Sequence, residues 1–269
     1  MDRQTFNRVR QLVYAKSGIA LGPGKEALVS ARVNRRLRVL GIDSYEAYLR
    51  RVTHDQTGEE VVQLVDAIST NVTSFFRERA HFEFLAQAMS RWLAAGQSRF
   101  RVWSAACSTG EEPYSMAVTM LEAVKGAKAD IDIKILATDI STRVLETCRQ
   151  GTYPQERVDA VPPILRTCYF TQDRSQNPAS YTVKDALSKT IVFKRLNLSA
   201  PPFPMHGPLD VIFCRNVMIY FDQAVRAKLL VELRRLLRPG GYLMVGHAES
   251  LTGMMGDFKA VRPSTYMKP

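Results

Sequence analysis

Nowhere in the 269 residues is there a run of about 20 apolar residues, the length a membrane-spanning helix requires, so direct insertion into a bilayer is excluded as an expectation. The opening segment, MDRQTFNRVR, also lacks the apolar core of a secretory signal, and the expected location is the cytoplasm. The four cysteines, Cys107, Cys148, Cys168 and Cys214, form no CxxC pair. His54, His81, His206 and His247 are equally scattered, so neither a redox dithiol nor a metal requirement is expected. Internal repeats and low-complexity tracts are missing too.

What is present is an ordinary globular composition, 46% hydrophobic, with a surplus of cations: 37 Lys and Arg against 26 Asp and Glu, or +11. That balance favours an acidic partner through long-range attraction without naming one. The chain is long enough for one full-sized core and a smaller appended domain.

The first 70 or so residues read as short amphipathic helices. Phe6, Val9, Leu12 and Val13 share a face ahead of Gly18. A second helix is expected over 25–40, before Gly41. At 100° per residue, Val29, Val33, Leu37 and Leu40 occupy an arc of about 80°, and Lys25, Arg32 and Arg36 cluster beside it. With the adjacent Arg35 they make either a solvated cationic face or a docking surface for an acidic partner. Further helical patterns cover 44–52, 59–68 and a stretch through Phe82, Leu85, Met89 and Leu93 to Gly96.

From Phe100 the period changes. Strands are expected at 101–106, 131–138, 209–214 and 241–245, with helices at 111–125 and from Asp222 to Arg238, where Pro239-Gly240-Gly241 reads as a stop. This alternation predicts a parallel sheet covered on both faces, with ligands beyond the carboxyl ends of its strands. The segment 181–193 alternates like an antiparallel strand pair and, with the turn-rich 162–178, reads as a small insertion.

The first expected strand runs into WSAACSTGEEPYS. Small residues there let the backbone approach a ligand, but the glycine spacing is not that of a dinucleotide site, and Glu111 and Glu112 stand where a pyrophosphate would lie. A cationic, phosphate-free ligand fits better, and S-adenosylmethionine carries a sulfonium, an amino group and no phosphate. Asp139, ending the second strand, suits a ribose diol or merely caps a helix. The segment IFCRNVMIYF drives a buried strand into Arg215, Asn216 and Tyr220, and TNVTSFFRE lies at the junction of the helical and sheet regions, where ligands are often held.

Taken with ILATDIS and RLNL, these segments resemble the chemotaxis receptor methyltransferases of the CheR type in order and spacing over nearly the whole chain. The resemblance implies an α/β protein: a Rossmann-like class I methyltransferase domain (73–269) with a small inserted antiparallel β-subdomain at about 170–195, preceded by an all-helical N-terminal domain (1–72). It implies S-adenosylmethionine as cofactor and S-adenosylhomocysteine as product, with Asn71, Thr73, Arg77 and either Glu111 or, in the family pattern, Glu112 at the methionine end. Asp139 falls on the ribose, Asn197 and Leu198 flank the adenine, and Arg215 and Asn216 complete the wall. Arg77 and Tyr220 face the departing methyl group as catalytic residues.

The implied substrate is a glutamate side chain on the cytoplasmic helical domain of chemoreceptors, with Lys25, Arg32, Arg35 and Arg36 docking the enzyme to membrane receptor arrays. Members that tether to a receptor's C-terminal peptide carry a glycine-rich loop in the β-subdomain; here 173–180 contains no glycine, so tethering is not expected. A nucleic-acid methyltransferase would suit the charge, but Arg215-Asn216 departs from an Asn/Asp-Pro-Pro-Tyr motif and the basic helix lacks interleaved aromatics for base stacking. A non-catalytic S-adenosylmethionine-binding scaffold is the third reading, and turnover distinguishes it.

Overall fold

The computed structural model describes residues 1–269 except Thr70, Lys128, Gln176, Asn177, Thr252 and Met255. Four helices open the chain: α1 (Arg3–Ser17), α2 (Glu26–Leu40), α3 (Tyr45–His54) and α4 (Glu59–Ile68). Asp2 and Ser44 cap the first and third by accepting N–H donors from Thr5 and Ala47. Their apolar stripes close one core through Phe6, Val9, Val13, Val29, Val33 and Leu64, all almost fully buried. Beside it, Tyr48 Oη donates to Glu60 at 2.9 Å while Arg36 forks onto the same carboxylate at 2.7 and 2.7 Å.

After α5 (Ala80–Ala94) the sheet begins with β1 (Arg99–Ser104), α6 (Glu111–Val124), β2 (Asp132–Asp139) and α7 (Thr142–Gln150). An inserted segment follows: β3 (Thr152–Pro154), α8 (Gln155–Val158), α9 (Pro163–Tyr169), β4 (Phe170–Asp173), β5 (Ser180–Val183) and α10 (Asp185–Ser188). The chain then returns through β6 (Ile191–Arg195), β7 (Leu209–Phe213), α11 (Gln223–Leu236), β8 (Leu237–Met244), β9 (Lys259–Arg262) and β10 (Thr265–Met267). The main sheet has the order β6-β2-β1-β7-β8-β10-β9, and β3-β5-β4 make a separate antiparallel sheet.

Three expectations need correction. The 181–193 stretch is not an antiparallel pair: β5 belongs to the small sheet, whereas β6 joins the main sheet parallel to β2. At an edge one face is wet, so Ile191 is buried and Val192 is 47% exposed, an alternation that looks the same in either sheet type. The main sheet is also not purely parallel, because β10 and β9 add antiparallel strands beyond β8. Pro239-Gly240-Gly241 lies inside β8 rather than stopping a helix. A Cβ on Gly241 would sit 3.0 Å from the carbonyl oxygen of Asp210 and 2.9 Å from that of Arg238, at the register shift against β7. The glycine-free 173–180 loop includes Gln176 and Asn177, which lie outside the described residues.

Several contacts among the described residues fasten the helical unit to the sheet unit. Asp66 of α4 accepts from Thr142 Oγ1 at 3.3 Å at the start of α7. The α1–α2 connection runs against the 217–222 loop: Ile19 bridges Phe221, Ala20 N donates to the Tyr220 carbonyl at 2.8 Å, and Tyr14 Oη donates to Asp222. Gly18 makes this approach possible. Its φ is +70°, and a Cβ there would fall 2.3 Å from Cβ of Ser199. Gly18→Ala is therefore expected to cost about 1–3 kcal/mol, read as a lowered urea midpoint with an unchanged slope.

Candidate active site

A cleft opens beyond the carboxyl ends of β1, β2 and β7, and the helical unit closes its far side. All ten residues expected at a cofactor or reaction site line it: Asn71, Thr73, Arg77, Glu112, Asp139, Asn197, Leu198, Arg215, Asn216 and Tyr220. They converge because adjacent strands place their ends side by side; Ser104 of β1 pairs with Ala137 of β2 and with Phe213 of β7. Ala105 and Ala106 form part of the lining, where larger side chains would fill it.

Glu112 is the acid that faces the cleft. Glu111 is fully buried on the other side, accepting from Thr109 Oγ1 at 2.6 Å and paired with Arg157. Glu112 instead accepts from Ser104 Oγ at 2.7 Å and from Arg215 Nη1 at 3.0 Å. Burial pushes its carboxyl above the ordinary value, and Arg215 and Ser104 pull back part of that rise.

Arg215 is the electrostatic centre of the wall. Its side chain is 1% exposed and lies between Glu78 Oε2 and Glu112 Oε2, 3.0 Å from each, while it also donates to the Arg77 carbonyl. The rings of Phe82 and Phe213 flank the guanidinium at 5.6 and 5.5 Å. Burial alone raises the Glu78 carboxyl, but the Arg215 charge, with hydrogen bonds from Arg215, Asn216 and the His247 N–H, outweighs it and holds the group low.

Asn216 adopts φ +57°; its N–H donates to Glu249 Oε2 at 2.7 Å and its amide to Glu78 Oε1 at 3.3 Å. Asp139 accepts from the Ser108 and Ser141 N–H groups at 2.9 and 3.0 Å, and burial pushes its carboxyl up. The cap of α7 is Ser141, whose side chain accepts from Val144, so Asp139 is not simply a helix cap.

Asn197 lines the cleft and also bonds across to the helical unit. Its amide donates to the Lys16 carbonyl at 2.9 Å, and its oxygen accepts from Ser199, so its side chain fastens the two units together. Leu198, 5% exposed, packs with Trp103 and reaches the cleft. Among the described residues three buried donors of the lining make no hydrogen bond: Asn71 Nδ2, Ser108 Oγ and Arg215 Nε. Arg77 donates one Nη1 bond to the Val72 carbonyl at 2.8 Å, and among the described residues the rest of its fork has no side-chain partner. The Tyr220 hydroxyl is likewise unengaged, its backbone held by Val217 and Ala20.

The expected basic docking stripe divides. Arg32 donates to the Ile68 and Ser69 carbonyls, satisfying the end of α4, and Arg36 is the half-buried partner of the buried Glu60. Neither guanidinium is available to a partner, because the arc beside the apolar stripe faces α4, which a single helix wheel does not reveal. Lys25 stands exposed at the cleft rim. Arg35 is exposed on α2, as is Arg38 one turn on.

Sequence reasoning passed over Ser108, Glu78 and Glu249. Glu249, 6% exposed, gathers the N–H groups of Asn216, Gly246 and Ile219 at 2.7, 2.7 and 3.3 Å. The polar cluster following the last parallel strand, Gly246-His247-Ala248-Glu249-Ser250, was the signal that pointed to it.

The pattern described as "CheR methyltransferase, SAM binding domain" matches residues 71–267, and that described as "CheR methyltransferase, all-alpha domain" matches 4–69. The chain is 40% identical to Chemotaxis protein methyltransferase 2 of Pseudomonas aeruginosa, over 98% of this chain and 92% of that one. It is 36% identical to the Chemotaxis protein methyltransferase of Borreliella burgdorferi over 100% and 95% of the two chains. Against its Escherichia coli counterpart the identity is 39% over 94% and 86%.

Proposed function

We propose, from the premise that this chain belongs to the CheR methyltransferase family and binds S-adenosylmethionine, that it converts glutamate side chains of chemoreceptors into methyl esters. The observation that carries this reading is the cleft itself. It combines a buried acid, Glu112, an acid at a strand end, Asp139, and two unpartnered donors, Asn71 and Ser108. These groups match the ammonium, ribose hydroxyls and carboxylate of S-adenosylmethionine.

When bound, S-adenosylmethionine supplies an electrophilic methyl group; a carboxylate oxygen bonds to it as the carbon–sulfur bond breaks and the electron pair stays on sulfur. A glutamate, with a reference pKa near 4.3, is already ionised at neutral pH, so no general base is needed. The chain's task is alignment, an effect that can be worth about 7–11 kcal/mol. Arg77, anchored through one Nη on Val72, keeps the remainder of its planar fork for the incoming carboxylate. Its role is orientation, since too strong a pairing would blunt the nucleophile. Tyr220, fixed by Ala20, walls the opposite approach and offers a hydroxyl.

Mapping the methylated residue in a chemoreceptor cytoplasmic fragment by peptide mass spectrometry tests the proposal. Modified glutamate is expected; modification confined to lysine, arginine or nucleic acid overturns it.

The docking surface follows from the division of the basic stripe: exposed Arg35 and Arg38 of α2 meet the acidic receptor bundle, which would bring the enzyme to membrane receptor arrays. No helix among the described residues is long and apolar enough to cross a membrane. The double reversal R35E/R38E is expected to reduce receptor methylation at least tenfold with cofactor affinity unchanged. Unchanged methylation contradicts the docking surface.

A further inference from the structure

Behind the cleft wall lies a group of side chains that methyl transfer does not use. Glu78, His81 and His247 bring one ligand-type atom each within 4.8 Å of one another. His81 is 2% exposed, and neither of its ring nitrogens makes a hydrogen bond. Its Nδ1 lies 3.5 Å from Glu78 Oε2, and His247 Nε2 lies 3.8 Å from the same oxygen. A buried polar group without a partner is destabilising, so the fold holds this imidazole at a loss unless something else engages it.

We infer that Glu78, His81 and His247 form a binding site for one zinc-class divalent cation, separate from the methyl-transfer cleft. Two imidazoles and a carboxylate make a donor set suited to zinc, with water completing the coordination. The carboxylate is already oriented from outside: Glu78 Oε1 accepts from Asn216 Nδ2 at 3.3 Å and from the His247 N–H at 3.4 Å. Glu78 also sits at φ +58°, a left-handed backbone conformation that fixes where its side chain starts.

The nearest cation is Arg215, which shares Glu78 Oε2 at 3.0 Å. Against this single guanidinium stand three carboxylates, Glu78, Glu112 and Glu249, so the wall accommodates added positive charge. Ligand atoms around a tetrahedral zinc lie roughly 3.4 Å apart, which requires a small closure from the present spacing. His247 can make it, since its side chain is 57% exposed, and it also provides the way in from solvent. An ion here would share Glu78 with Arg215 and so bear on the cofactor wall without touching the reacting atoms.

The test is zinc titration by calorimetry near neutral pH on chelator-treated protein carrying Cys168→Ser, which removes an exposed thiol. One ion per chain is expected. Cobalt(II) in place of zinc is expected to give the visible bands of a low-coordinate nitrogen and oxygen site. His247→Ala, at an exposed side chain, and His81→Gln are each expected to weaken binding at least tenfold, while His54→Ala/His206→Ala keeps it. His247→Ala is expected to retain metal-free methyl transfer, so failure of this inference leaves the functional proposal standing. Binding weaker than about 100 µM, or binding that survives His247→Ala or is lost in the His54/His206 variant, overturns it.

Discussion

Arg215→Met is expected to lower stability by about 3–5 kcal/mol at neutral pH, because it strands two carboxylates in a buried wall. Glu78 and Glu112 each lie 3.0 Å from this one guanidinium, and the methylene stem of methionine fills space without replacing the charge. The pH dependence carries the sign of the argument. In the parent protein burial raises the Glu112 carboxyl and Arg215 offsets part of that rise. Without Arg215 the folded-state pKa climbs further above the unfolded value. A carboxyl so raised favours the fold when protonated, and that contribution is lost as pH rises. The stability gap between variant and parent should therefore narrow at mildly acidic pH, and adding Glu112→Gln should restore part of the loss at neutral pH. Urea midpoints at the two pH values check both; an equal loss at each pH contradicts the account.

Arg77→Ala is expected to reduce kcat by about a hundredfold or more and Arg77→Lys by at least tenfold, with thermal unfolding nearly unchanged. Arg77 contributes a single side-chain bond to the fold, to the Val72 carbonyl at 2.8 Å, worth about 1 kcal/mol. Lysine keeps the charge but loses the planar fork, so a large loss in that variant assigns the effect to geometry rather than to charge. A comparison of kcat with cofactor affinity measured separately locates the defect: full activity in Arg77→Lys would place Arg77 outside the reaction.

Much of this site was legible because its residues sit in consecutive short segments at strand ends. Once the strands at 101–106, 131–138 and 209–214 are recognised, parallel pairing brings Glu112, Asp139 and Arg215 together without further information. Apolar periodicity announced the helical front, and the resemblance supplied the roles. The bounds of α2 and α4 follow from apolar periodicity and the glycine that ends α2.

What escaped was nonlocal or weakly patterned. Lys259–Arg262 is an exposed edge strand with no buried face to announce it. Thr152–Pro154 is too short to show alternation. Arg32 and Arg36 look like a cationic surface until α4 is packed beside them, and the Glu78, His81 and His247 grouping joins one short segment before the sheet to a residue after its last parallel strand. Asn197 lines the cleft, and nothing in its local sequence reveals that its amide also reaches back to Lys16 on α1.

The most direct test of the account is transfer of labelled methyl from S-adenosylmethionine to a chemoreceptor cytoplasmic fragment, followed by treatment with alkali, with Arg77→Ala run beside the parent protein. The account predicts label that alkali releases as methanol and that the variant fails to transfer. Label that resists alkali, or no transfer at all despite tight cofactor binding, would contradict it.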